Sequence, residues 1–184
     1  TDRKKAEEVI RHLAYNDQLT GLPNRIYFRE KLSESLVVAK KNNGKIGLVK
    51  LNVDRFHYIN DSLSYEIGDY VLSVVARRLK KVLPPKNIAA RLSGDEFAVI
   101  LAQQEDVENA EAVVMTIQEA IQKPIEINGQ QYIVTTSAGI AYYPVHASET
   151  SELSTKAEKA LLEEKEQGGS GYQIYEPGTV QKSL

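Results

Sequence analysis

Two short apolar runs, Ile88–Arg91 and Phe97–Leu101, stand on either side of the polar stretch Ser93-Gly94-Asp95-Glu96. No other feature constrains the fold as tightly. Parallel strands need a crossover of about a dozen residues or more. A gap this short leaves only a reversal, so the runs pair as a hairpin with two carboxylates at its tip. The run Lys45–Val53 (KIGLVKLNV) is short, apolar and β-branched, and reads as a strand buried on both faces. Such a strand needs cover on both sides, which helices must supply.

The rest of the chain supplies them. Arg3–Ala14 reads as a charged helix with Val9, Ile10 and Leu13 on one face. Gly21 and Pro23 break the pattern within Asp17–Asn24, and Asn24 is a good N-cap for a helix carrying Phe28, Leu32, Leu36 and Ala39. Asn42-Asn43-Gly44 ends it. After the first strand comes a long helical region with Ile67, Val71, Val74, Val75 and Leu79 on one face, closed before Pro84-Pro85. Val107–Gln122 is a further predicted helix. Pro124–Ile127, Asn128-Gly129 and Gln131–Tyr143 read as a second hairpin, since Asn-Gly suits a type I′ turn. Ser154–Glu166 is a last amphipathic helix and Tyr172–Tyr175 a last strand. This order predicts an α/β chain in which helices cover a mixed sheet.

The 184 residues suit one domain. Cys is absent and the three histidines, His12, His57 and His146, are scattered, which excludes disulfides, thiolate catalysis and cysteine zinc sites. A net charge of -2 with no basic patch argues against nucleic acid as a partner. No apolar run approaches the ~20 residues of a membrane span and no signal peptide is visible, so no membrane contact is expected of this segment.

Two polar clusters fall where strands end: Asn52-Val53-Asp54, running on to Asn60-Asp61 and Gly68-Asp69, and the Gly94-Asp95-Glu96 tip. If the two strands pair centrally, both clusters meet at one sheet edge. Carboxylates converging there make an oxygen-rich setting for Mg²⁺ (or Mn²⁺). Taken singly, each cluster is more simply a solvated turn or helix punctuation.

In combination the motifs resemble the GGDEF family, the diguanylate cyclase domains of bacterial cyclic di-GMP signalling, from about Asp17 to Tyr175. The entry stretch Asp17-Gln18-Leu19-Thr20-Gly21-Leu22-Pro23-Asn24-Arg25 matches almost letter for letter. Val53-Asp54-Arg55-Phe56, Asn60-Asp61, Gly68-Asp69 and the signature Arg91–Phe97 follow in order. Ser137-Ala138-Gly139-Ile140-Ala141 and Ala157-Glu158-Lys159-Ala160-Leu161 are weaker blocks.

The resemblance implies a central, mostly antiparallel sheet wrapped by helices. It implies two GTP molecules held in two facing domains, a homodimer for catalysis, and condensation to cyclic di-GMP with divalent metal. By the same resemblance Asn60 and Asp69 bind guanine, and Asp95 and Glu96 bind metal together with position 52 and Val53. Asp95 is also the candidate base. Lys165 meets phosphate; His57, Tyr65, Ser93 and Gly94 complete the nucleotide-binding positions.

Several of those positions depart from the family's pattern. Its first metal-binding Asp is Asn52, which weakens the pull on a divalent ion. The first signature Gly is Ser93. A phosphate-contacting Lys is His57, an imidazole in place of an ammonium. The Gly-His pair is Ser64-Tyr65, and the Arg and Asn after the last helix fall at Gly169 and Ser170. The product-inhibition motif, Arg-x-x-Asp, is replaced by Pro84-Pro85-Lys86-Asn87, so feedback binding there is not expected. The expected function is a degenerate, guanine-nucleotide-binding regulatory domain with weak or no cyclase activity. The alternatives are an active cyclase and a structural dimerisation or relay module. Residues 1–16 read as a linker helix from an upstream PAS-like domain, 17–176 as the GGDEF domain and 177–184 as a linker toward a possible EAL domain. The expected location is cytoplasmic, with membrane anchorage left to the rest of a longer chain.

Overall fold

The computed structural model describes residues 1–178; the outer part of the expected C-terminal linker, from 179 on, lies outside the described residues. Five strands form the central sheet: β1 (Ile46–Val53), β2 (Ile88–Ser93), β3 (Glu96–Leu101), β6 (Thr136–Tyr143) and β7 (Tyr172–Ile174), in the order β2-β3-β1-β6-β7. All neighbours are antiparallel except β6 and β7. The sheet is therefore central and mostly antiparallel, as expected. β1 occupies its middle, which is why its sequence is apolar on both faces.

Val49, Leu51 and Val53 pack under α4 (Tyr65–Val82) and α6 (Ala110–Ile121), with Leu79, Val114 and Ile117 among their neighbours in one core. Leu48 faces the other way, into a second core with Phe28, Leu32 and Leu36 of α2 (Arg25–Asn42) and Leu153 and Ala157 of α7 (Thr150–Glu166). The Asn24 side chain accepts from Tyr27 N–H at 3.1 Å, and Asn43 ends α2 in the left-handed region at φ 52°. α1 (Asp2–Tyr15) buries no residue, and Val9, Ile10 and Leu13 stay exposed along it.

Three expected elements are subdivided. The long helical region after β1 is two helices, α3 (Phe56–Ser62) and α4, because Ser64 caps α4 by accepting from Ile67 N–H at 3.1 Å. The helix expected over Val107–Gln122 splits into α5 (Gln104–Glu108) and α6 at Asn109. The strand expected over Gln131–Tyr143 breaks between β5 (Gln130–Tyr132) and β6. Among the described residues β5 pairs only with β4 (Ile125–Ile127), whereas β6 must pair with β1. A chain serving two sheets has to leave one ladder before joining the next. The Asn128-Gly129 turn itself is as expected, with φ 51° and 79°.

Candidate functional site

β1 and β3 run side by side with Asn52 opposite Glu96, which brings the two polar clusters to one sheet edge. At the hairpin tip Gly94 takes φ 42°, a conformation that favours glycine. Val53 N–H donates to the Asp95 carbonyl at 3.2 Å, so the tip is laced to the end of β1. Arg91 laces it from the other side. Its Nε donates to the Gly94 carbonyl at 2.8 Å and its Nη1 meets Asp17 Oδ1 at 2.9 Å. Burial opposes ionisation of Asp17, but the Thr20 hydroxyl, the Thr20 amide and Arg91 outweigh it and hold the carboxyl below its ordinary range. The entry turn thus fixes the signature hairpin.

That bracing has a measurable weight. Arg91→Gln is expected to cost about 2–3 kcal/mol in urea unfolding at neutral pH, since it strips charged hydrogen bonds from largely buried groups. A depressed carboxyl stabilises fully above its unfolded pKa and loses that contribution as pH falls through the folded value. The advantage of the wild type over the variant should therefore shrink in acid.

The Asn52 amide Nδ2 donates to Asp95 Oδ2 at 2.6 Å and reaches the Asp95 carbonyl at 3.2 Å. Burial pushes the Asp95 carboxyl up, while the nearby charges of Lys165 and His57 pull it down and Glu96 raises it. Glu96 lies 3.7 Å from Lys50 Nζ, 3.9 Å from Arg25 Nη2 and 3.3 Å from Ser93 Oγ. As arranged, these donors make at most a partial cation site. One carboxylate oxygen of Asp95 is already taken by an N–H, and no group of three acidic or His side chains gathers among the described residues. Asn52 contributes a neutral amide beside the carboxylates of Asp95 and Glu96.

A cavity of about 960 Å³ opens beside the tip, between α3, the β5–β6 link and the turn after α7. Val53, His57, Asp95 and Lys165 line it, so four of the expected site residues converge. Asn52 and Glu96 stand just behind Asp95. Asn60, Tyr65 and Asp69 do not line the cavity; they flank it on α3 and α4, Tyr65 and Asp69 exposed. Asn60 Oδ1 is buried with no hydrogen-bond partner among the described residues. It lies where a Cβ on Gly68 would have to be, at 1.8 Å. Gly169 and Ser170 form part of the wall, so the expected loss of an Arg removes a cation from the cavity itself.

Asp54 carries a role the sequence reading did not assign. Thr135 Oγ1 and Ser137 Oγ each donate to it at 2.6 Å, and Ser170 N–H donates at 3.1 Å. Its carboxylate staples β1, β6 and the turn after α7 into one wall. The signal was available: Asp54 and Ser137 both lie in the matching blocks. Lys50 was also missed, though it is the polar interruption of an apolar strand. Glu158, half-buried on α7, has its carboxyl pushed up by burial and by Glu96.

With this geometry in view, residues 14–171 match the family described as diguanylate cyclase, GGDEF domain. The chain belongs to the GGDEF family. Among relatives, it is 32% identical over 170 residues to the cyclic di-GMP phosphodiesterase NbdA of Pseudomonas aeruginosa, covering 92% of this chain and 22% of that protein. It is 34% identical over 168 residues to the diguanylate cyclase TpbB of the same species, covering 91% and 39%. Among solved structures, the coiled coil and GGDEF domain of DgcB from Caulobacter crescentus, in complex with cyclic di-GMP, superposes with a TM-score of 0.86 at 25% identity, covering 94% of this chain and 92% of that one. This GGDEF domain thus spans well under half of the length of those two relatives. GGDEF domains are parts of cyclic di-GMP signalling proteins, and their cyclases use divalent metal ions. Among the described residues no helix is long and apolar enough to cross a membrane.

Proposed function

We propose that this GGDEF domain binds a guanine nucleotide and makes little or no cyclic di-GMP, serving as a regulatory part of a longer signalling protein. The observation that carries the reading is the 2.6 Å bond from Asn52 to Asp95. An amide N–H occupies the carboxylate that metal-assisted phosphoryl transfer would need free, while the proposed guanine contacts remain. Losing one preorganised charged contact typically costs about a hundredfold in rate, and here His57, Ser93 and Gly169 add to it. Asn60 and Asp69 hold the base; Lys165 and His57 face its phosphates; Tyr65, Ser93 and Gly94 form the rim. Glu96, the Val53 carbonyl and the free oxygen of Asp95 would hold Mg²⁺ or Mn²⁺ weakly, and the ion would neutralise phosphate charge.

α1 supports an upstream PAS-like connection, since its apolar side finds no cover among the described residues. A downstream EAL domain and a cytoplasmic setting complete the proposed context. A second copy of the domain, face to face, would be needed for any turnover.

The test is to incubate concentrated protein with GTP and Mg²⁺, then Mn²⁺, to quantify cyclic di-GMP by chromatography, and to measure GTP binding by calorimetry. Binding without multiple turnover is expected. Gly68→Ala should weaken that binding by about tenfold or more, a loss of about 1.4 kcal/mol, because its Cβ displaces Asn60. Sustained turnover would overturn the impaired chemistry. Absence of binding would leave a structural relay.

A further inference from the structure

We propose a second, anion-binding site on the face of the sheet away from α4 and α6, selective for a small phosphate-class oxyanion. A cavity of about 540 Å³ lies between α2, β1 and the first turn of α7. Its lining includes Arg25, Arg29 and Lys50 and no acidic residue. Five Ser and Thr hydroxyls complete the wall, and among the described residues only that of Thr155 finds a partner, the Ser151 carbonyl at 2.9 Å.

The lysine distinguishes this cavity from an ordinary basic groove. Lys50 sits on the central strand with only 9% of its side chain exposed. Its ammonium carries three donors and makes no hydrogen bond among the described residues. Its one ion pair, to Glu96 Oε1, is 3.7 Å long, beyond hydrogen-bond reach. A buried ammonium with unused donors is costly unless an acceptor reaches it. On the rim, and among the described residues, Arg29 has no ion-pair partner and Arg25 has only the 3.9 Å approach to Glu96. Of the acidic side chains nearby, Glu152 is engaged with Lys156 at 2.8 Å and Glu149 with Lys40 at 3.6 Å, while Glu96 and Glu158 share the field of Lys50.

Three cations and free hydroxyls around one space suit a tetrahedral oxyanion, which takes forked N–H donors from Arg and a point charge from Lys. The volume also admits diphosphate. A bound anion would compete with Glu96 for Lys50, linking the cavity to the hairpin tip through one side chain.

The probes are inorganic phosphate and diphosphate, titrated into the intact chain with amide shifts followed by two-dimensional NMR and KCl as the ionic-strength control. Saturable shifts centred on Lys50, Arg29 and Ser151 are expected, weakened about tenfold or more by Arg29→Gln, an exposed substitution that leaves the fold intact. Lys165→Met should leave them unchanged. Shifts centred instead on Lys165, His57 and Gly168 would overturn the proposal, by placing the anion in the nucleotide cavity. So would insensitivity to Arg29→Gln, or the same shifts with KCl.

Discussion

Replacing Asn52 by Asp is expected to make the site demand a divalent ion. In the wild type the Asn52 N–H and the Asp95 carboxylate satisfy each other at 2.6 Å. The Asp variant turns that hydrogen bond into two facing carboxylates in a half-buried setting, with Glu96 adjacent. Like charges so placed cannot both ionise freely. In chelator the variant should therefore be less stable than wild type by about 1–2 kcal/mol, as expected for loss of a hydrogen bond to a charged group. Mg²⁺ or Mn²⁺ should return that loss and more, because a ligand that binds only the folded state stabilises it by mass action. The wild type should respond little.

The same substitution is expected to raise cyclic di-GMP formation by about a hundredfold over the wild-type rate, the usual weight of one preorganised contact. His57, Ser93 and Gly169 would keep it below a full cyclase. Thermal unfolding with and without metal, beside product chromatography, checks both halves. Equal metal stabilisation of wild type and variant would show that Asn52 is a tolerated ligand and that the amide bond yields to the ion.

Asn52 also marks how far the sequence could be read. The hairpin, the central strand, the Asn24 cap and the Asn128-Gly129 turn were legible because each rests on local chemistry: period, capping or positive φ. The breaks were less legible. Nothing in Gln131–Tyr143 says that its first residues pair with β4 and its last with β1, since that choice is made by distant partners. At the site, Asp95, Lys165 and His57 could be named from motifs, but their surroundings could not. Whether Asn52 offers its carbonyl to a cation or its N–H to Asp95 is decided by an approach of strands 43 residues apart. Lys50 was visible as an oddity in an apolar run. Its meaning needed the placement of α2 and α7 against β1, which no local pattern carries.

Gly139→Ala should be the most damaging single methyl in the chain, for a reason that also explains why the Ser137–Ala141 block contains a glycine at all. Gly139 stands at the middle of β6, opposite Lys50, where α7 crosses the sheet. A Cβ there would lie 2.2 Å from the Ala157 carbonyl oxygen and 2.3 Å from Leu161 N. Both are backbone atoms of a helix, so no rotamer relieves the clash; α7 must move as a body or the strand must bend. Overpacking of this kind costs about 3 kcal/mol or more. Gly47→Ala is the control. It lies in the same sheet, on β1, yet its Cβ would meet only Leu101 and Tyr142 side-chain atoms, the nearest at 3.5 Å, and should change stability by less than about 1 kcal/mol. The consequence reaches the site, because α7 carries Glu158 and Lys165 and leads into the turn whose Ser170 N–H holds Asp54. Urea unfolding of the two variants tests the packing, and GTP binding by whatever folded Gly139→Ala remains tests the coupling. Equal stability of the two would mean that α7 slides on the sheet at little cost, and that the close crossing does not hold Lys165 in place.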